Sequence, residues 1–119
     1  MRKLFLALTL ASSIAVASPS NGHWATTPKA CNARADQLND NQYNLTITPK
    51  IVRMVGWNFV RVERVEDVLV SNNRSFVYSG HYQEQWENDN SNGTTDTNWT
   101  LNNGVLKIAN NPIKFRKCK

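Results

Sequence analysis

The chain is poor in the residues that usually carry chemistry. It holds only two cysteines and two histidines. There is no Cys-x-x-Cys, which argues against a redox pair, and two isolated sulfurs do not make a zinc site. Gly-x-Ser-x-Gly, His-Glu-x-x-His and a Gly-rich phosphate loop are all missing, so the common hydrolase, zinc-peptidase and nucleotide-binding signatures fall away. Asp36, Asp40, Asp89 and Asp96 lie in polar stretches without the alternate-residue spacing of a calcium loop. Neither a metal nor another cofactor is expected.

Long apolar runs are also missing. The one apolar stretch, Leu4 to Val16, is interrupted by Thr9, Ser12 and Ser13. It falls short of the roughly 20 apolar residues that cross a bilayer. Arg2 and Lys3 precede it and Ala15-Val16-Ala17 ends it, the three parts of a cleavable export signal, with cleavage predicted before Ser18. No cysteine follows at a lipidation position. Residues 1–17 therefore read as a signal peptide, 18–27 as a flexible arm without hydrophobic period, and 28–119 as a single β-rich domain, periplasmic or secreted. Loss of Arg2 and Lys3 lowers the formal net charge from +5 to +3. That is too little for a nucleic-acid partner to be expected, and no membrane span remains after processing.

Cys31 and Cys118 both lie in the mature part, where an even pair in an oxidising compartment is expected to bridge. Closing a loop of about 87 residues removes roughly 4 to 5 kcal/mol of unfolded-state entropy. Ala30 to Leu38 contains three alanines and no β-branched residue, which predicts a short helix tied by Cys31 to the last strand.

After Tyr43 the composition shifts to Val, Ile, Thr and aromatics, and strands are expected. Leu45-Thr46-Ile47 alternates and stops at Pro49. Ile51 to Val70 carries both a strand composition and a partly helical spacing; two strands with a bend near Glu63–Asp67 are favoured. With Trp57 and Phe59 inward, a bulge is needed to bring Val60 and Val62 to the same face. Phe76, Tyr78, Tyr82 and Trp86 share one parity, interrupted by Gly80. Asn88 to Asp96 reads as an exposed polar loop. If Asn92-Gly93 closes it tightly, Trp86 falls opposite Trp99, a favourable aromatic pair. Asn103-Gly104 is the two-residue turn of a type I′ hairpin, and it places Leu101 opposite Leu106, Trp99 opposite Ile108 and Thr100 opposite Lys107. Asn110-Asn111-Pro112 makes the next turn, before a short last strand. The fold class is mainly β: an antiparallel meander forming a curled sheet or small open barrel, with one short N-terminal helix tied on by the disulfide.

Among candidate site residues, His23 lies in the arm and reads as a solvated side chain. His81 stands mid-strand, and alternation puts Glu84 on the other face, so the two cannot form a dyad within one strand. Four glycosylation sequons, at Asn44, Asn73, Asn92 and Asn98, compare with about two expected by chance from composition. Trp57, Tyr78, Tyr82, Trp86 and Trp99 are many large rings for one small sheet: core residues by default, a binding face otherwise. These features lead to a small non-enzymatic binding protein, an inhibitor or immunity-type module with a protein partner. The alternatives are a lipid or sugar carrier with an aromatic-lined β cavity, and a small secreted hydrolase using His81.

Overall fold

The computed structural model describes residues 19–119, so the expected export signal and its cleavage point lie outside the described residues. Eight strands follow one another: β1 (Gly22–Ala25), β2 (Asn44–Ile47), β3 (Ile51–Gly56), β4 (Phe59–Ser71), β5 (Ser75–Trp86), β6 (Asp89–Asn102), β7 (Val105–Ile108) and β8 (Phe115–Lys117). Each pairs antiparallel with its neighbour in sequence. β1 then pairs with β8 through Trp24↔Lys117 and Ala25↔Arg116, so the meander closes into a barrel. Closure removes the sheet edges that an open meander would leave bare. Among the described residues no helix is long and apolar enough to cross a membrane.

The stretch expected to be a loose arm supplies β1. Trp24 is buried inside the barrel, and its indole Nε1 donates to the Ser20 carbonyl at 2.8 Å. Four residues give only two inward positions, too few for the alternation to show in sequence.

The short helix is also corrected. Ala30 to Leu38 forms two 3-10 turns, Pro28–Asn32 and Ala35–Gln37, separated by extended backbone at Ala33 and Arg34. So short a segment is a marginal α-helix on its own. The carbonyls of Ala30 and Ala33 are taken instead by the Asn44 side-chain amide, at 2.8 and 2.9 Å. The turns cover Val55 and Ala25 on the outer wall with Ala30 and Leu38, and the Cys31–Cys118 disulfide, Cα atoms 5.9 Å apart, pins them there.

Residues 51–70 do form strands, but the chain reverses at Trp57-Asn58, where Asn58 has φ 53°. Phe59 and Glu63 then face inward, and Val60 and Val62 take the outer wall, so no bulge is needed there. The irregularities come later, between Val65 and Asp67 and between Val68 and Val70. The first lies near the bend expected at Glu63–Asp67. Gly80 faces it so closely that a Cβ would lie 1.9 Å from the Arg64 carbonyl oxygen.

The polar stretch from Asn88 to Asp96 is not a loop. The hairpin turns at Glu87-Asn88, and β6 runs from Asp89 with Gly93 opposite Tyr82. Trp86 therefore pairs with Asp89 and Trp99 with Phe76, and the Trp86–Trp99 pair does not form. The next hairpin agrees with its turn chemistry: Asn103 (φ 53°) and Gly104 (φ 79°) close it, in the register Leu101↔Leu106, Trp99↔Ile108 and Thr100↔Lys107.

The core sits toward the middle of the barrel, around Trp24, Leu45, Ile47, Tyr78, Trp99, Leu106 and Phe115. β3 covers β4 only as far as Arg64, and β7 covers β6 only from Trp99 onward. The β4–β5–β6 sheet therefore projects beyond its neighbours.

Candidate functional site

Along β4 the inward positions are Phe59, Arg61 and Glu63, so two charges enter a small barrel side by side. Such charges are tolerated inside only when paired and fully hydrogen-bonded. Glu63 is 6 % exposed. One of its oxygens accepts from the Tyr78 hydroxyl, the other from Arg61 Nε at 2.8 Å, and Thr97 Oγ1 lies 3.4 Å and 3.5 Å from the two. Tyr78 OH in turn accepts from Trp99 Nε1 at 3.0 Å. Burial foremost, and then the Glu63 charge, push the Tyr78 hydroxyl's pKa far above its ordinary value. It stays a donor.

Arg61 is held from three strands. Its Nη1 donates to Glu84 of β5 and its Nη2 to Thr95 of β6 at 3.3 Å. Its guanidinium lies 4.1 Å from the Tyr82 ring centroid, a cation–π contact. Burial opposes its charge, but the hydrogen bonds and charges of Glu63 and Glu84 prevail and keep its pKa above the ordinary arginine value. Three bonds use three of the five guanidinium N–H donors and leave two. The small inner residues of β6 are what admit this side chain. Gly93 packs so closely under Tyr82 that a Cβ would come within 3.1 Å of the ring.

Arg61 also lines a cavity of about 420 Å³ at the barrel end where β3 turns into β4 and β5 ends. That volume is within the range of small-molecule sites, roughly 300–1,000 Å³. The walls are largely apolar and aromatic: Tyr43, Met54, Phe59, Ile108, Ile113 and Phe115. Trp57 and Trp86 stand at the mouth, 52 % and 48 % exposed, and the Phe59 and Trp86 rings are 4.5 Å apart. Asp40 and Asn111 come from loops at the rim. Arg61 is one inward position deeper than Phe59, so it presents its charge toward the floor.

The aromatic residues singled out in the sequence thus divide. Trp57 and Trp86 belong to the cavity, Tyr82 supports Arg61 from beneath, and Tyr78 and Trp99 are core residues at 0 % and 1 % exposure. Arg61 and Glu63 take the inward positions that the expected bulge would have given to Val60 and Val62, and Glu84, considered in the sequence only beside His81, meets them there. The available signal was Phe59-x-Arg61-x-Glu63 read at a single parity.

His81 has a carboxylate partner, but it is Glu66 of β4, at 2.8 Å on the exposed outer wall. Glu84 is inside on Arg61. The His81–Glu66 pair lies away from the residues lining the Arg61 cavity. Of the sequons, Asn44 spends both amide hydrogens on the 3-10 turns, whereas Asn73, Asn92 and Asn98 are exposed. Among the described residues no three His, Cys, Asp or Glu side chains are grouped to hold a metal ion. No protein-family model, no curated protein and no solved structure matches the chain.

Proposed function

We propose that the protein is an exported, non-enzymatic binding barrel whose mouth cavity takes a small ligand with an apolar ring-sized body. The observation that carries this reading is the pairing of an aromatic-walled, open-ended cavity with a guanidinium fixed at its inner end. Such a site offers apolar area for affinity and a few oriented polar donors for specificity. Small barrels of about eight strands have room for one ligand of this kind. Support for export comes from the three-part N-terminal segment and from a disulfide that would be unusual in a reducing cytosol.

The test is calorimetric titration with a panel of aromatic and alicyclic compounds, on the wild type and on Trp57→Ala and Trp86→Ala. Saturable binding that weakens about tenfold or more in either variant supports the reading. Failure of the whole panel to bind overturns it.

A protein partner is the second reading, favoured by the half-exposed Trp57 and Trp86 and by exposed Val68, Leu69 and Val70 on the projecting end of β4. Tryptophan at an exposed rim is a frequent anchor in protein interfaces. An inhibitor or immunity-type module would use these residues. Pull-down from periplasmic extract, repeated with the Trp variants, should then enrich one protein only with the wild type.

A further inference from the structure

We infer that the cavity selects a ligand bearing a neutral hydrogen-bond acceptor, such as an amide or ketone carbonyl, over the corresponding carboxylate. The inference rests on the ligand-binding reading above and concerns the floor of the same site. A lone arginine at the end of an apolar cavity ordinarily recruits an anion. Here the guanidinium is compensated twice, by Glu63 Oε2 at 2.8 Å and by Glu84 Oε2. The three groups together carry a net charge of minus one, and Asp40 adds another negative charge at the rim. An incoming carboxylate would therefore lose its hydration to meet a floor that is negative overall.

Glu63 uses both oxygens on Tyr78, Thr97 and Arg61. Glu84 uses one on Arg61 and the other on Trp86 Nε1 at 3.3 Å. Arg61 lines the cavity, and two of its guanidinium N–H donors are not used by Glu63, Glu84 or Thr95. A neutral carbonyl satisfies them by a charge-assisted hydrogen bond and brings no charge of its own to desolvate.

The experiment uses two probes on one scaffold, 2-naphthylacetamide and 2-naphthylacetate, titrated calorimetrically into the intact protein. The amide should bind at least about tenfold more tightly than the acetate. Glu84→Gln removes one compensating charge, and it should narrow the amide-to-acetate ratio by about tenfold. The wild-type ranking stands as a test by itself if that variant folds poorly. Acetate binding as tightly as the amide to the wild type overturns this inference and leaves the ligand-binding reading intact. A folded Glu84→Gln protein with an unchanged ratio overturns the compensation argument. Absence of binding by both probes overturns the inference and the ligand-binding reading together.

Discussion

The Tyr78 hydroxyl donates a hydrogen bond to the Glu63 carboxylate inside the barrel, between β5 and β4. That contact is one link in a continuous run. Trp99 donates to Tyr78, Tyr78 to Glu63, Arg61 to both Glu63 and Glu84, and Trp86 to Glu84. A polar chain thus connects a fully buried core tryptophan to a half-exposed one at the cavity mouth. Every buried charge on it has a partner, which is the condition for carrying such groups in a small core.

Breaking that chain at its cation should be costly. Arg61→Met leaves Glu63 buried without its counter-charge, and the expected loss is about 3 kcal/mol. Adding Glu63→Gln to Arg61→Met should recover at least half of it, because the orphaned charge is gone. Urea denaturation of the two variants measures both values. A double variant no more stable than the single one would show that packing, not charge, sets the cost.

Alkaline pH should act through Tyr78. An unfolded tyrosine ionises near pH 10, whereas burial and the Glu63 charge hold the folded one protonated well beyond that. The folded pKa is raised, so this stabilising contribution is complete below about pH 10 and declines as pH rises further, by about 1.4 kcal/mol per unit. Tyr78→Phe removes that component, although it costs about 2 kcal/mol near neutrality by stranding Glu63 and Trp99. The stability gap between wild type and variant should therefore shrink between about pH 9.5 and 11. A gap constant over that range would refute the assignment.

Reduction of Cys31–Cys118 should lower stability by about 2–5 kcal/mol, since the bridge closes a loop of 87 residues. The disulfide holds the 3-10 turns on the outer wall, away from the cavity lining. Ligand affinity of the reduced but still folded protein should accordingly change less than about threefold. Urea midpoints and titrations with and without a phosphine reductant give both numbers.

Two glycines should respond to alanine for different reasons. At Gly80 the new Cβ meets the Arg64 carbonyl at 1.9 Å, so the bulge of β4 must open, at about 3 kcal/mol or more. At Gly104 nothing lies within 4 Å, and only the positive φ is strained, at about 1 kcal/mol. Thermal unfolding of the two variants ranks them. Equal losses would mean that the close approach at Gly80 is relieved without cost.

Sequence by itself determined the features whose physics is local. Asn103-Gly104 demands positive φ at two successive residues, and that turn sets the Leu101↔Leu106 register without help from the rest of the chain. The parity of Phe76, Tyr78, Tyr82 and Trp86 survives because one strand alternates regardless of its neighbours. Two cysteines leave a single possible intrachain pairing, and it forms. Tertiary structure decided the rest. Gly22–Ala25 becomes a strand only because β2 and β8 flank it, and the polar segment after Asn88 becomes one because its inner residues Gly93, Thr95 and Thr97 face Tyr82, Arg61 and Glu63. Arg61 and Glu63 read as surface charges until Glu84 of β5 and Tyr78 are brought against them. The shared parity of Phe59, Arg61 and Glu63 is the one local hint of that meeting, because most of the energy that makes an inward charge tolerable comes from partners 15 to 34 residues away.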